Sequence, residues 1–165
     1  MSDTRRNRII VEGIGMVAVV LSLVFVGFEI NQNTAATRSA TQQAVYEGGI
    51  QSNLNVMNNE RLRDLLVLTN SDPEWATTAP RDGDYLLVER FYLNRFNNLE
   101  NAYYHYLQGT YDQKLWLGQE GWIRSIAVEP LMKHFWARFH DSYFPEFQAY
   151  MDSVLSAVEG DGDGV

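Results

Sequence analysis

The chain has 165 residues, a formal net charge of −8 at pH 7, 13% aromatic residues and no cysteine. The acidic balance argues against binding to nucleic acid and against electrostatic adhesion to anionic lipid, because both are polyanionic. The absence of cysteine excludes disulfides, thiol catalysis and cysteine-rich metal sites.

The first predicted element is a membrane helix. An uncharged, almost purely apolar segment occupies Gly13–Phe28, and Ile9–Val11 and Ile30 extend it. About 20 apolar residues in an α-helix cross a hydrocarbon core of about 30 Å. We therefore predict that residues 1–8 form a short N-terminal segment and that residues 9–30 form an uncleaved transmembrane helix.

Two alternatives remain open for this apolar run. Glu12 and Glu29 bracket it, which is also compatible with a core helix of a soluble domain. The N-terminus also resembles a cleavable signal peptide. It has a basic segment, then an apolar run, then the small residues Thr34–Ala36 as a candidate cleavage site. Against cleavage, the run is long for a signal peptide, and the polar segment Glu29–Asn33 precedes the candidate cleavage site. The uncleaved anchor is the favoured interpretation.

The basic residues predict the orientation of the anchor. Arg5, Arg6 and Arg8 precede the span, whereas Arg38 is the one basic residue in the next twenty. By the positive-inside rule, the N-terminus is cytoplasmic and the larger C-terminal part lies outside the cytoplasm. The predicted location is the inner (cytoplasmic) membrane, with a periplasmic domain.

Within the span, Ala18 and Ser22 form a pair of small residues four positions apart. Such pairs allow another membrane helix to approach closely, so both are candidate helix-contact residues. The Ser22 hydroxyl is expected to bond a carbonyl one turn earlier. The predicted partners are accordingly the lipid bilayer and either another membrane protein or a second copy of this chain, and not nucleic acid.

The rest of the chain predicts one all-α domain, in which the N-terminal transmembrane helix continues into a small antiparallel helical bundle at 31–158. Gly48 and Gly49 weaken the continuing helix by about 2 kcal/mol relative to alanines, so the sequence leaves open whether the helix kinks there or stays continuous. Gly109 is expected to end the longest helix. The predicted helices after the span are 31–57, 60–69, 84–108, 113–127, 130–141 and one beginning at Pro145. Residues 159–165 are predicted to be a disordered tail.

The long helix carries two stripes at helical spacing. The apolar stripe predicts a buried face, made by Tyr85, Val88, Tyr92, Phe96, Leu99, Tyr103 and Tyr106. The polar stripe consists of Asn94, Asn97, Asn101, His105 and Gln108. Glu100 and Tyr104 lie alongside this stripe. Asn101, Tyr104 and His105 are the predicted ligand-binding residues, because amide, phenol and imidazole groups suit a small polar ligand. The alternative is the solvated face of an amphipathic helix.

Motifs for catalysis and metal binding are absent from the sequence. No glutamate has histidine three residues later, and neither His-Glu-x-x-His nor Gly-x-Ser-x-Gly occurs. Glu100 and His105 are five residues apart, roughly 140° around a helix, so they diverge. We therefore predict no catalytic residues, no metal site and no cofactor, and hence that the protein is not an enzyme.

Four segments resemble a group of uncharacterised small bacterial proteins. They are Leu23–Thr34, with its Gln-Asn-Thr ending, Leu99–Tyr104, the pair Trp116 and Trp122, and Pro145–Tyr150. The resemblance implies a single-pass, all-helical, membrane-anchored protein, and it implies no activity. Glu29 stands where that group more often has glutamine.

Two functions follow as expectations. The favoured one is a membrane-anchored accessory or interaction protein without catalytic activity. The alternative is an extracytoplasmic small-ligand sensor domain that acts through a membrane partner.

Overall fold

The computed structural model describes residues 3–72 and 74–162. It contains seven α-helices and one short 3₁₀ helix, and no strand occurs in this described part, which confirms the all-α prediction. The elements are α1 Asp3–Asn58, α2 Glu60–Ser71, α3 Trp75–Thr78, α4 Gly83–Leu107, α5 Gln113–Ile126, α6 Pro130–Phe139, the 3₁₀ helix His140–Ser142 and α7 Pro145–Gly162. The chain divides into two compact units, residues 1–40 and 41–165.

The first unit is the N-terminal part of α1. Its most apolar stretch has a mean hydropathy of 2.3 and no buried residue, so α1 is long and apolar enough to cross a membrane. It is the one helix of this kind in the described residues. The Ser22 hydroxyl donates to the carbonyl of Ala18 at 2.8 Å, as expected. This bond satisfies the one polar side chain in the middle of the apolar run.

The second unit is organised around α4. One face of α4 is fully buried, and α2, α5, α6 and α7 all pack against this helix. The predicted apolar stripe is this face: Val88 and Phe96 are completely inaccessible, and Tyr92 nearly so. Tyr103 and Tyr106, at its C-terminal end, are partly buried against the same core. A single long stripe thus provides the central surface of the domain.

Side-chain caps fix where several helices begin. Asn59 Oδ1 accepts from the backbone N–H of Leu62 at 3.0 Å, and so starts α2 at the expected place. Asp82 Oδ1 accepts from the N–H groups of Asp84 and Tyr85, which moves the start of α4 to Gly83. Gly109 has a φ of +68°, the left-handed conformation that terminates helices, and α4 stops just before it.

The remaining differences from the sequence expectations are local. The predicted loop before α4 contains the single turn α3, and α6 ends at Phe139 and passes into the 3₁₀ helix instead of reaching Asp141. The last helix, α7, continues to Gly162, so the described part of the predicted tail, 159–162, is helical. The rest of that tail, 163–165, lies outside the described residues.

Helix α1 stays α-helical through Gly48 and Gly49. Gly48 lies against α4, where a Cβ atom would come within 3.1 Å of Asn98 Oδ1. The glycine therefore permits a close approach between α1 and α4, and it does not interrupt the helix.

Candidate functional site

The structure brings together two of the three predicted ligand-binding residues. Asn101 and Tyr104 line a depression of about 290 Å³ with Glu100 and Phe144. His105 does not line it. Its Nδ1 lies 3.0 Å from the Thr110 hydroxyl oxygen, and its carbonyl accepts from the N–H of Thr110 at 3.0 Å. His105 therefore helps to close the C-terminal end of α4.

Other members of the polar stripe connect α4 to neighbouring segments. Asn94 Nδ2 donates to the Ser52 hydroxyl on α1 at 3.4 Å. The Tyr143 hydroxyl, just before α7, donates to Asn97 Oδ1 at 3.2 Å. The stripe is thus more than a solvated face, because its amides hydrogen-bond to two other parts of the domain.

A larger cavity lies between the C-terminal part of α1 and the faces of α4 and α5. Its volume is about 490 Å³, and all of its lining residues belong to the second unit. The apolar side chains in its wall include Val45, Val56, Phe91, Leu99 and Trp122. Its polar side chains are Ser52, Asn53, Arg95, Asn98 and Gln119.

Small residues on facing helices create this cavity. Gly49 and Ser52 face it from α1, and Ala102 faces it from α4. A Cβ atom built on Gly49 would meet nothing within 4 Å. Because short side chains stand where long ones would fill the space, α1 and α4 leave an open volume between them.

Arg95 is the charged residue of the cavity wall. Its side chain is only 14% exposed, and Nη1 donates to Glu129 Oε2 at 2.7 Å. The Tyr92 hydroxyl donates to the same oxygen at 3.0 Å. Burial raises the pKa of Tyr92 well above its usual value, and the charge of Glu129 adds to this rise. The phenol therefore remains a neutral donor to the carboxylate at physiological pH.

The Arg95 guanidinium also lies near three aromatic rings, those of Phe91, Tyr92 and Trp122. Its Cζ lies 5.3 Å from the ring centre of Phe91 and 5.2 Å from that of Trp122. These distances allow cation–π attraction, which holds the guanidinium at the cavity wall. Among the described residues Glu129 is its one hydrogen-bond acceptor, so the other guanidinium N–H groups are not taken up by protein oxygens.

A second polar cluster lies between α4 and α6, away from this cavity. Arg81 Nη1 donates to the Tyr85 hydroxyl at 2.7 Å, and that hydroxyl lies 3.2 Å from His134 Nε2. Arg138 Nε lies 2.5 Å from the buried carboxylate of Glu89. Burial lowers the pKa of His134, and the charges of Arg81 and Arg138 lower it further.

Sequence reasoning missed both Arg95–Glu129 and Tyr85–His134. Arg95 pairs with Glu129, the residue just before α6, and Tyr85 on α4 meets His134 on α6, so the partners are 34 and 49 residues apart. Helical spacing relates residues on one helix only, so no pattern in the sequence pointed to either pair. Arg95 alone could have indicated the ion pair. It lies next to the buried face of α4, and a partly buried guanidinium needs an acidic partner.

Comparison with known proteins gives no functional assignment for this arrangement. No protein-family model, no curated protein and no solved structure matches the chain.

Proposed function

We propose that this is a non-enzymatic accessory protein that is anchored in the inner membrane by α1 and binds another membrane protein, or a second copy of itself. The observation that carries this proposal is an uncovered apolar stripe on the part of α1 that follows the predicted span. We call it the α1 stripe and define it as Tyr46, Ile50, Leu54 and Met57.

The four residues of the α1 stripe share one side of the helix, because they are spaced by four, four and three positions. Their exposed fractions lie between 38% and 70%. Val45, which points into the domain, is buried. Adjacent exposed apolar side chains of this kind mark protein interaction surfaces, since their burial in a complex is favourable.

Membrane anchoring supports the same function. Confinement to a bilayer raises the effective concentration of any partner in that membrane, so a contact of modest area is sufficient. In this proposal Arg5, Arg6 and Arg8 keep the N-terminus in the cytoplasm, and the helical domain is periplasmic. We also propose that the chain is a member of the group of small single-pass helical proteins that it resembles.

The second candidate function is an extracytoplasmic small-ligand sensor that acts through a membrane partner. The cavity of about 490 Å³ favours it, because its walls include the same helix that carries the predicted span. A ligand in this cavity would contact α1 and the rest of the domain at once.

Photo-crosslinking of the full chain in native membranes tests the favoured function. With photoreactive p-benzoylphenylalanine in place of Tyr46, we expect one covalent adduct of discrete mass after irradiation. Ile50→Lys in the same chain should abolish it, because a charge in the α1 stripe opposes burial. An adduct of twice the chain mass would identify self-association.

The matched control carries the photoreactive residue at Ser156, an exposed position on α7. This chain should give no such adduct. Three results would contradict the proposal: no adduct from position 46, the same adduct from both positions, or an adduct that survives Ile50→Lys.

A further inference from the structure

We infer that the cavity between α1, α4 and α5 is a binding site for a small, neutral, amphipathic molecule with an apolar body and a hydrogen-bond-accepting oxygen. Met57 is the one residue of the α1 stripe that also lines this cavity. The inference rests on Gly49, Arg95 and Trp122, which lie outside the stripe. The failure of either proposal therefore leaves the other in place.

The size of the cavity fits a small molecule. Its volume of about 490 Å³ lies within the range of about 300–1,000 Å³ that is usual for ligand pockets. Peptide segments and protein partners need grooves that are continuous along the surface. This cavity is instead bounded by three helices and by Leu66 of α2.

The apolar body of the ligand would lie between Phe91, Leu99 and Trp122. Leu99 is buried, and Trp122 is 43% exposed, which places its ring between the cavity and solvent. Covering this ring with an apolar ligand removes apolar surface from water, and that is the main source of affinity in sites of this kind.

The polar end of the ligand would bond to Arg95. The guanidinium is fixed by Glu129 and by the rings of Phe91 and Trp122, yet most of its N–H groups have no acceptor in the described part of the protein. A charged donor that is already held in place makes a strong hydrogen bond at little cost in side-chain entropy. The amide groups of Asn53, Asn98 and Gln119 provide further donors and acceptors around the cavity.

Charge favours a neutral ligand over an anion. Glu129 already balances Arg95 at 2.7 Å, so the cavity presents a neutral ion pair and not a free cation. The whole chain carries a net charge of −8, which repels anions. A ketone, amide or hydroxyl oxygen can accept from Arg95 without adding a negative charge beside Glu129.

The test uses the full chain in detergent micelles and three fluorinated probes that are followed by ¹⁹F NMR line broadening. The probe 4-fluoroacetophenone has an apolar ring and a ketone oxygen, 4-fluorotoluene lacks the acceptor, and 4-fluorobenzoate is the anion. Empty micelles give the baseline for partitioning. We expect saturable broadening of the ketone above this baseline, and weaker binding of both other probes.

Gly49→Leu is the blocking variant, because a side chain at this position would enter the open cavity. We expect it to raise the Kd of the ketone by about tenfold or more, since packed interiors have no room for both groups. Gly118→Leu is the matched control: its Cβ also meets nothing within 4 Å, and it lies on α5 outside the cavity. Ser52→Leu is a second blocking variant from the same wall.

The role of Arg95 is tested with Arg95→Met combined with Glu129→Gln, so that no carboxylate is left unpaired. Loss of a hydrogen bond to a charged group should weaken ketone binding by about tenfold or more, with 4-fluorotoluene almost unaffected. Tryptophan fluorescence on urea unfolding verifies that each variant is folded.

Three results would overturn the inference. The first is ketone broadening no greater than in empty micelles. The second is an equal Kd in folded Gly49→Leu and Gly118→Leu chains. The third is tighter binding of 4-fluorobenzoate than of the ketone, which would contradict the neutral ligand class.

Discussion

The side chain of Asn98 on α4 lies directly over the backbone of Gly48 on α1. Asn98 Nδ2 is 3.4 Å from the Gly48 carbonyl oxygen, and a Cβ atom at position 48 would be 3.1 Å from Asn98 Oδ1. The neighbouring Gly49 has no atom within 4 Å of its Cβ position. Two adjacent glycines with the same helix propensity therefore stand in different environments.

Alanine substitutions should separate these two environments. Gly49→Ala should raise the free energy of unfolding by about 0.5–1 kcal/mol, because alanine lowers the entropy of the unfolded chain and favours helix. Gly48→Ala should give a smaller gain or a loss, since Asn98 must move to admit the new methyl group. The measurement is urea unfolding of the full chain in detergent micelles, followed by tryptophan fluorescence.

Tryptophan fluorescence reports on the helical domain alone, because the four tryptophans are Trp75, Trp116, Trp122 and Trp136. If Gly48→Ala stabilised the domain as much as Gly49→Ala, the close contact with Asn98 would have no energetic consequence.

The ion pair at the cavity wall should contribute measurably to stability. Glu129→Gln leaves the Arg95 guanidinium, 14% exposed, without its charged partner. We expect a loss of about 1–3 kcal/mol in the free energy of unfolding, because a poorly solvated charge loses its strongest hydrogen bond. Urea unfolding of the full chain provides the measurement.

The matched control for this prediction is Glu120→Gln. Glu120 pairs with Arg124 one turn away on α5, and Arg124 is exposed. Such a pair is worth about 0.5 kcal/mol or less. Equal losses in the two variants would show that the burial of Arg95 adds nothing to the strength of its ion pair.

The sequence was sufficient to predict six of the seven α-helices in the described residues, all except the single turn α3. The stripe from Tyr85 to Tyr106 defined the buried face of α4, because helical periodicity and burial are directly linked. Asn59 and Gly109 fixed two helix ends through local hydrogen bonding and backbone conformation. Boundaries that depend on tertiary packing, such as the end of α6 and the turn α3, were less accurate.

The cavity could not be predicted from the sequence. The cavity depends on which helices face each other. Gly49 and Ala102 leave open space only because α1 and α4 are adjacent in the fold. The polar stripe of α4 could be predicted as a candidate site because its spacing of three and four residues is visible in the sequence. Arg95 and Glu129 are 34 residues apart and were not connected by any spacing rule.

The stability of the domain should fall as the pH drops below about 6.5, the usual pKa of histidine. Burial, Arg81 and Arg138 lower the pKa of His134 in the folded state, and Glu89 opposes them only in part. Between the lowered pKa and 6.5, the unfolded chain binds more protons than the folded one, so acid favours unfolding. Replacing His134 with glutamine should reduce this loss, as measured by urea unfolding between pH 5 and about 7.5.

His140 provides the control of opposite sign. Its hydrogen bond with Asp141, together with that to Asp152, raises its pKa. Its contribution to stability is therefore present at low pH and is lost as the pH rises through that raised pKa. His140→Gln should make the loss in acid steeper, whereas His134→Gln makes it shallower. Changes in the same direction in both variants would contradict the assignment of His134.

The membrane orientation can be tested with single cysteines, because the native chain has none. In intact spheroplasts, a membrane-impermeant maleimide should label Ser156→Cys on the exposed surface of α7 and should not label Ser2→Cys. The reason is that Arg5, Arg6 and Arg8 favour the cytoplasmic side. After detergent lysis, both cysteines should react, which verifies that each thiol is accessible. Labelling of Ser2→Cys before lysis, with Ser156→Cys protected, would reverse the orientation and contradict the periplasmic placement of the α1 stripe.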